Sequence, residues 1–538
     1  MTKTMLTAVA PPVLTIATLM TISLAFPHVD RDEKPTDDEA EVRAAAQPYL
    51  DGLLHGDIAT GLDATDAAAI DSFVESAMAE LGAVPGVALA VVRDGEVVHE
   101  AGYGWRDREH RLPVTSRTVF YTASLGKAFT GAAAAVLAAE GELDLDAPLS
   151  RFLPGLTDAR PIRADETTVR DLLRHGAPFS NGGVNFVTSF VGPYEPRDLV
   201  RALNEYSDSS EGFVYSNTNY ALAGYAIEAA TGRDWRDVMR ERVFAPLGME
   251  RSTARLADVD SADVALPYLA REDGVHRIPF AKSDRTITGA GGIFSTAGDL
   301  ARYVVVQLDG GRLDGRQALP ATAIREMQTP QIELDATFFE FERYGYGLGL
   351  YLARWEDEKL VHHFGGFPGF RSHVSFMPEH GMGVVVLQNE GVDGNRFADI
   401  VATYVYDRLL GRPNADARGI RRLADLRQAI EERSAQRRDA EAALARWERS
   451  PGIPSLPLEA YAGEYVNERL GTLRIETDGD RLRLAWGDID APVLPTDTGE
   501  FLVPWVRGFQ PITFTFEATE HGEVEELDWG GRPFVRRH

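Results

Sequence analysis

The stretch that most constrains this chain runs from Phe120 to Thr130 and reads Phe-Tyr-Thr-Ala-Ser-Leu-Gly-Lys-Ala-Phe-Thr. It leads into an alanine-rich segment that ends at Glu140. Ser124 stands at the predicted start of a helix, where the positive end of the helix dipole favours a developing alkoxide. Lys127 follows three residues later, so its amine shares a helix face with the serine hydroxyl. The pattern predicts a nucleophile with its own base, if burial lowers the pKa of the lysine.

A Ser-x-x-Lys spacing is common on helices, so the pair also has an ordinary interpretation, a capping serine followed by a solvated lysine. The small and apolar neighbours of the pair favour burial instead. Lysine is also rare in this arginine-rich chain, and arginine cannot accept a proton as lysine can. The lysines of the chain are Lys3, Lys34, Lys127, Lys282 and Lys359.

The composition limits the classes of function. A chain of 538 residues is long enough for more than one domain. A formal net charge of -27 argues against nucleic acid or an anionic membrane surface as the main partner. With 0 cysteines the chain has no disulfide and no thiol nucleophile.

The N-terminus resembles a secretory signal peptide, which we place at residues 1–25. Lys3 is the single charge before Asp30, and an apolar run reaches Phe26. Ser-Leu-Ala at positions 23–25 offers a small-x-small cleavage site. We therefore expect a secreted, periplasmic or cell-surface protein, with an uncleaved membrane anchor as the alternative.

An acidic tether is predicted for residues 26–63, followed by one domain over residues 64–412. Its predicted order is a helix, a hairpin, mostly helices, then strands and a closing helix, which indicates an α/β fold with one sheet and an inserted helical lobe. The predicted helices are Ala64–Leu81, the segment after Ser124, Thr168–Arg174, Ala221–Thr231, the segment after Gly289–Asp299, and Phe397–Leu410. The predicted strands are Val87–Val92 and Val97–Val98 around the Asp94-Gly95 turn, Tyr346–Ala353, Val361–Phe364, Arg371–Met377 and Gly383–Leu387.

The remaining chain divides into a charged linker helix and a small β-domain. Residues 413–454 are highly charged, which predicts a helix with a solvated face. Residues 455–538 alternate in hydrophobicity, which predicts a separate antiparallel sandwich or barrel. Its predicted strands are Thr472–Glu476, Leu482–Trp486, Phe501–Val506, Ile512–Phe516 and Val524–Trp529.

Two further motifs carry groups that suit catalysis. Tyr215-Ser216-Asn217 offers a phenol for proton relay and an amide that can hold a substrate or orient Lys127, although a capped helix start is the ordinary interpretation. The second motif is a strand that ends in His363-Phe364-Gly365-Gly366. Two glycines let a substrate lie against the backbone, where a main-chain N–H can bind an oxyanion, while a strand end with a buried histidine is the alternative.

Taken in order, these three motifs resemble the serine beta-lactamase and penicillin-binding-protein superfamily. The closest likeness is to class C beta-lactamase-like hydrolases, the group of D-Ala-D-Ala carboxypeptidases, D-aminopeptidases and esterases. Additional matching segments include Gly86–Val92, Thr168–His175, Ala290–Leu300, Tyr346–Gly349 and Gly366–Phe370. Relatives also carry a C-terminal lipocalin-like domain, and Tyr461–Tyr465 is similar to its opening strand.

The resemblance implies a role for each site residue. Ser124 would be acylated, Lys127 would be its base or hydrogen-bond partner, and Tyr215 would relay the proton. Asn217 and the His363–Gly366 segment, including Gly365, would bind substrate, with the N–H groups of Ser124 and Gly366 as the oxyanion hole. The expected substrate is a small molecule or a peptide. Proximity to a cell wall or membrane, and the oligomeric state, stay open.

Two departures from the superfamily pattern bear on the substrate. His363 stands where penicillin-recognising members usually have a lysine, and Gly176-Ala-Pro178 replaces the usual threonine-serine-glycine. Both favour a peptidase or esterase over a true beta-lactamase. A non-catalytic cell-wall binding or sensor protein is the alternative from another class. His362-His363 and His99-Glu100 lack metal-ligand spacing, so we do not expect a zinc hydrolase. We expect no other metal and no cofactor.

Overall fold

The structure is a computed structural model that describes residues 62–192, 196–271, 273–391, 394–449, 452–506 and 510–537. The predicted signal peptide, and the predicted tether up to residue 61, lie outside the described residues. Among the helices of the described ranges, none combines the length with the apolarity that a membrane crossing requires.

The helices begin and end as follows. The α-helices are α1 (Ala64–Leu81), α2 (Gly126–Ala139), α3 (Val169–Leu173), α4 (Gly182–Phe190), α5 (Pro196–Tyr206), α6 (Asn217–Thr231), α7 (Trp235–Met239), α8 (Ala245–Leu247), α9 (Ala297–Leu308), α10 (Ala321–Met327), α11 (Phe397–Leu409), α12 (Ala415–Arg449) and α13 (Leu458–Tyr461). Short 3-10 turns occupy Ala123–Leu125, Leu149–Arg151, Leu256–Asp258 and Pro378–His380. A π-helical turn, Arg240–Phe244, joins α7 to α8.

The strands of the first domain are β1 (Gly86–Arg93), β2 (Glu96–Asp107), β3 (Leu112–Pro113), β4 (Phe120–Tyr121), β5 (Phe179–Ser180), β6 (Asp208–Ser209), β7 (Tyr268–Arg271), β8 (Gly274–Arg277), β9 (Phe294–Ser295), β10 (Arg312–Leu313), β11 (Arg316–Gln317), β12 (Ile332–Phe338), β13 (Phe341–Tyr346), β14 (Tyr351–Trp355), β15 (Glu358–Phe367), β16 (Phe370–Met377) and β17 (Met382–Gln388). The strands of the second are β18 (Gly463–Asn467), β19 (Gly471–Asp478), β20 (Arg481–Trp486), β21 (Ile489–Pro495), β22 (Phe501–Val503), β23 (Ile512–Ala518), β24 (Val524–Asp528) and β25 (Pro533–Arg537).

One antiparallel sheet of nine strands organises the first domain, in the order β12-β13-β14-β15-β16-β17-β1-β2-β3. Strands from both ends of the domain's sequence are neighbours inside this sheet, where Val87 of β1 pairs with Gln388 of β17. The chain between β3 and β12 forms the helical lobe. The predicted α/β class, a sheet with an inserted helical lobe, is therefore confirmed.

Helices cover both faces of this sheet, as the continuous apolar run in β1 requires. Leu89 and Val91 point to the core formed with α1 and α11, whereas Ala88 and Ala90 point to the core formed with α2 and α9. All four side chains are buried. Burial of each larger side chain contributes about 1.5–3 kcal/mol. The predicted hairpin turn is also present, because Asp94 and Gly95 both have positive φ angles, 52° and 81°.

The C-terminal strands β18–β25 close into an eight-stranded barrel. The first and last strands pair, so that Tyr465 lies opposite Arg536. Side chains alternate along each strand, and Leu473 and Ile475 of β19 are buried while their neighbours face outwards. Of the two predicted alternatives, sandwich or barrel, the structure has the barrel.

Several predicted elements need correction. The strand predicted over Tyr346–Ala353 is wrong, because the chain turns between the end of β13 and the start of β14. Gly349 in this turn has a φ angle of 83°, which is incompatible with a continuous strand. Strand β12 was missed because four of its seven residues are exposed and none is fully buried, and β21 and β25 were missed in the barrel. Helix α6 begins at Asn217, four residues before the predicted start.

Candidate active site

The turn that carries Ser124 has a strained backbone. Ala123, directly before the serine, has a φ angle of 50°, in the left-handed region that costs an L-amino acid roughly 1–2 kcal/mol. The next turn packs tightly on a neighbouring loop, since a Cβ atom on Gly126 would lie 2.8 Å from the amide nitrogen of Gly292. Ser124 is therefore held at the start of α2, with 7% of its surface exposed.

Lys127 is buried completely, which contradicts the interpretation as a solvated lysine. Its Nζ atom lies 3.2 Å from Oγ of Ser124, as the three-residue spacing predicts. The same nitrogen donates to Oδ1 of Asn217 at 2.7 Å and to the carbonyl oxygen of Ala290 at 2.6 Å. All three partners are uncharged groups.

The surroundings favour the neutral amine of this lysine. Burial, and then the positive charge of Lys282, lower the pKa of Lys127 well below the ordinary lysine value. A neutral amine has two hydrogens and one lone pair. Asn217 and the carbonyl of Ala290 accept the two hydrogens, which leaves the lone pair for the Ser124 hydroxyl. The geometry therefore suits proton transfer from Ser124 to Lys127.

Tyr215 and Asn217 complete this cluster from the start of α6. The Nζ atom of Lys127 lies 4.6 Å from the centre of the Tyr215 ring. Burial and then the Tyr351 phenol raise the pKa of Tyr215 well above its ordinary value, against the effect of its hydrogen bond with Ser124. Tyr215 is therefore protonated. Asn217 does not cap the helix, as the ordinary interpretation held, because its oxygen faces Lys127.

His363 lies on β15, facing the cluster, and is completely buried. Burial, and then the charge of Lys127, lower the pKa of His363 well below its ordinary value. In the neutral ring, Nδ1–H donates to the carbonyl of Phe364 at 2.8 Å, so Nε2 accepts from the Tyr346 hydroxyl at 3.2 Å. His363 therefore orients Tyr346 and brings no fixed positive charge to the site.

The two glycines of β15 lie at an open edge of the described sheet. Strand β14 pairs with β15 as far as His362, so the edge from residue 363 onwards faces the Ser124 turn. On its other side β15 continues to pair with β16, where Gly366 lies opposite Arg371. This edge is the position in which a substrate can lie along the strand.

Three groups at the site were missed at the level of sequence. The carbonyl oxygen of Ala290 accepts a hydrogen bond from Lys127, and the Ala-Gly-Gly motif was the available signal for it. The charge of Lys282 lowers the pKa of Lys127, and the scarcity of lysine was the available signal for that residue. His175 braces the Tyr215 segment, because its carbonyl accepts from the Val214 amide at 2.9 Å and its Nδ1 accepts from the Ser216 amide at 3.2 Å. In the described part of the chain, no three His, Asp or Glu side chains are grouped so as to share a metal ion.

Known protein families match both domains of the chain. The sequence profile of the Beta-lactamase family matches residues 71–407, and a profile described as Domain of unknown function (DUF3471) matches residues 448–535. The first match covers well over half of the chain. The chain belongs to the Beta-lactamase family, and it is a serine hydrolase.

Individual relatives resemble the chain over most of their own length. Penicillin-binding protein 4 of Amycolatopsis lactamdurans is 29% identical over 328 residues, which are 59% of this chain and 84% of the relative. The solved octameric penicillin-binding protein homologue from Pyrococcus abyssi is 26% identical with a TM-score of 0.56, covering 88% of this chain and 100% of that one. The D-amino acid amidase from Ochrobactrum anthropi SV3, solved in complex with D-phenylalanine, is 27% identical with a TM-score of 0.53, covering 61% and 92%.

Proposed function

We propose that this protein is an exported serine hydrolase that forms a covalent acyl-enzyme on an ester or amide, either a D-amino-acid peptide or a small ester. The observation that carries the proposal is the buried contact of 3.2 Å between Nζ of Lys127 and Oγ of Ser124, with uncharged acceptors for both amine hydrogens. A solvated lysine on a helix surface would not be held in this way.

The chemistry follows from the positions of these groups. Oγ of Ser124 attacks the substrate carbonyl carbon while its proton passes to Nζ of Lys127. The proton then moves by way of the Tyr215 hydroxyl to the leaving alcohol or amine, and the scissile bond breaks. Water attacks the acyl-enzyme, releases the acid and restores the Ser124 hydroxyl. The N–H groups of Ser124 and Gly366 are the proposed oxyanion donors.

The neutral state of His363 supports the choice of substrate class. A site without a fixed positive charge at this strand position binds the carboxylate of a penicillin or a D-Ala-D-Ala peptide less strongly. The relative that is named as a D-amino acid amidase supports an amide substrate with a D-residue on its acyl side. A neutral D-amino-acid amide or a short-chain ester is therefore the first choice.

The proposal is tested by intact-protein mass after reaction with a fluorophosphonate probe, for wild type, Ser124→Ala and Lys127→Ala. We expect one adduct on wild type that is lost in Ser124→Ala. Wild type that has not been exposed to the probe is then screened with D-phenylalanine amide, L-phenylalanine amide, a p-nitrophenyl ester and a chromogenic cephalosporin. Preference for the cephalosporin would indicate a true beta-lactamase, and an unlabelled but folded wild type would indicate the binding or sensor protein.

Export is proposed from the N-terminal sequence, and its test is separate. Expression of the full chain and of a chain lacking residues 1–25, each with a C-terminal tag, compares the cellular fractions that contain the protein. Export predicts that the full chain leaves the cytoplasm with a mass reduced by the signal peptide. A full-length mass in the membrane fraction would indicate the anchor.

A further inference from the structure

The C-terminal barrel packs on α4 of the catalytic domain. The amide of Asp488, in the turn between β20 and β21, donates to the carbonyl of Val191 at 2.7 Å. Phe186 of α4 inserts its ring among three tryptophans of the barrel. Their ring centres lie 6.1, 5.4 and 5.4 Å from that of Phe186: Trp486, Trp505 and Trp529.

Helix α4 in turn fixes the position of Asn217, one of the two hydrogen-bond acceptors of Lys127. Oδ1 of Asn185 on α4 accepts from the amide of Thr218 at 3.2 Å. Thr218 follows Asn217, whose Oδ1 binds Nζ of Lys127. A shift of α4 would therefore move the start of α6 and the oxygen that faces the lysine.

The barrel also contacts the loop that carries the second acceptor. The hydroxyl of Ser283 donates to the carboxylate of Asp488. Next to it, Nζ of Lys282 donates to the carbonyl of Thr286 at 3.1 Å and to the carbonyl of Ser189 at the end of α4. The same loop continues to Ala290, whose carbonyl binds Lys127.

Lys282 is itself placed at the site. Its ammonium lies 4.9 Å from the ring centre of Phe190 and 5.6 Å from that of Phe367, the residue that follows Gly366. These rings join α4 to the end of β15, since Phe190 stacks on Phe367. Lys282 therefore ties together α4, the loop to Ala290 and the strand of the candidate oxyanion hole.

We infer that the barrel is part of the catalytic apparatus, and that Asp488 and Lys282 are positioning residues that hold the two acceptors of Lys127. The inference rests on the proposed function, because it concerns the reaction of Ser124. A catalytic hydrogen bond that is displaced by about 1 Å costs on the order of a hundredfold in rate. Barrel docking thus sets the rate of acylation, in addition to any contact with substrate.

The test compares three variants of the full chain: Asp488→Asn, Lys282→Met and, as the control, Asp490→Asn. Asp490 lies two residues from Asp488 in the same hairpin, but it faces solvent and pairs with Arg483 at 2.5 Å. The measurement is the saturation kinetics of labelling by the fluorophosphonate. We expect the limiting rate to fall at least tenfold in Asp488→Asn and Lys282→Met, with the half-saturating probe concentration nearly unchanged and Asp490→Asn equal to wild type.

The dependence of the labelling rate on pH separates positioning from loss of stability. The titratable groups around Lys127 are Tyr215, Tyr220, His175, His363 and Lys282. Those near Lys282, besides Lys127, are Asp488 and, through its ion pair with Asp488, Arg285. Removal of the Lys282 charge raises the pKa of Lys127, so the acid limb of the profile moves to higher pH.

The carboxylate of Asp488 raises the pKa of Lys282 against the effect of burial, so Asp488→Asn leaves Lys282 less protonated and moves the acid limb in the same direction. A partly unfolded enzyme would instead lose labelling equally at every pH. Wild-type rates in both variants, or an equal loss in Asp490→Asn, overturn the inference. Labelling of wild type at Ser124 is read in the same series, and its absence rejects the proposed function rather than the role of the barrel.

Discussion

Gly365 of β15 crosses the backbone of Thr122 so closely that a Cβ atom on Gly365 would lie 1.9 Å from the Thr122 carbonyl oxygen. The hydroxyl of Ser372 on β16 donates to the same oxygen at 2.7 Å. The strand with the two glycines and the turn with Ser124 are therefore joined at a point where no side chain fits. The distance between this strand and this turn decides whether the N–H groups of Ser124 and Gly366 can both donate to one oxyanion.

Gly365→Ala is expected to separate the strand from the Ser124 turn, because the clash is with backbone and cannot be relieved by a rotamer change. A displacement of about 1 Å predicts a loss of about a hundredfold in the rate of labelling by the fluorophosphonate. The midpoint of thermal unfolding should fall as well, since the alanine strains a packed contact.

Gly366→Ala is the matched control for this prediction. The nearest atom to a Cβ atom on Gly366 is Nη1 of Arg371 at 3.5 Å, an ordinary contact. Alanine also keeps the backbone N–H that we assign to the oxyanion hole. Labelling within a few-fold of wild type is expected for Gly366→Ala, and equal losses in the two variants would contradict the distinction between the glycines.

The rate of labelling should depend on pH through Lys127. Only the neutral amine accepts the Ser124 proton, so the rate falls as pH drops through the pKa of Lys127. Because that pKa is lowered well below the ordinary lysine value, the labelling rate should reach its plateau at a pH clearly below the ordinary lysine pKa. The measurement is the second-order labelling rate at constant ionic strength, corrected for hydrolysis of the probe.

A second, smaller change in the labelling rate is expected near neutral pH from Lys282, since burial lowers the pKa of Lys282 to about 7 against the effect of Asp488. Its protonation at lower pH adds a charge that disfavours protonated Lys127. Lys282→Met should therefore remove this change and leave a labelling rate that depends on pH through one titration alone. A labelling rate that keeps rising with pH up to the ordinary lysine pKa would show that the neutral amine of Lys127 is not the base.

The sequence was sufficient for the parts of the site that depend on local spacing. The three-residue separation of Ser124 and Lys127 predicts their contact on any helix, and the apolar run in β1 predicts a covered sheet. The contact of the Ala290 carbonyl with Lys127 could not be predicted, because the Ala-Gly-Gly motif marks the loop but not its partner, which is 163 residues away. Contacts of this kind depend on the packing of the whole helical lobe.

The same limit explains why the docking of the barrel on the catalytic domain could not be predicted. Trp486 ends the predicted strand Leu482–Trp486 and is buried, as a core residue of its own domain would be. The structure also places it against Phe186, a residue of the other domain. Alternation within a strand shows which side chains are buried, but it does not show which domain covers them.

A buried ion pair should make the fold sensitive to the loss of Asp399, at the start of α11. This carboxylate is fully buried, accepts from Nδ1 of His373 at 2.7 Å and pairs with Arg371 at 3.2 Å. Burial alone would raise the pKa of Asp399, but Arg371, His373 and Arg396 outweigh it and lower the pKa. Asp399→Ala leaves buried charges unpaired, which predicts a loss of about 3–5 kcal/mol in the free energy of unfolding.

The pH dependence of this contribution has a definite sign. Because the pKa of Asp399 is lower in the folded state, its stabilisation is complete above the pKa of an unfolded aspartate and is lost as pH falls towards the folded value. Urea unfolding of wild type and Asp399→Ala at neutral and acidic pH should therefore give a difference that shrinks on acidification. A constant difference would show that the carboxylate acts by packing.

Arg422 of α12 provides the last prediction, because the segment was expected to be a linker with a solvated face. Its guanidinium donates to Asp407 at 2.6 Å and to Glu340 at 2.7 Å, with 6% of the side chain exposed. Arg422→Met leaves the buried carboxylate of Asp407 without this partner, which predicts a loss of about 3 kcal/mol in urea unfolding. Arg421 is exposed, and Arg421→Met should stay within about 0.5 kcal/mol of wild type. If the two neighbours unfold at the same urea concentration, the first part of α12 is a linker after all.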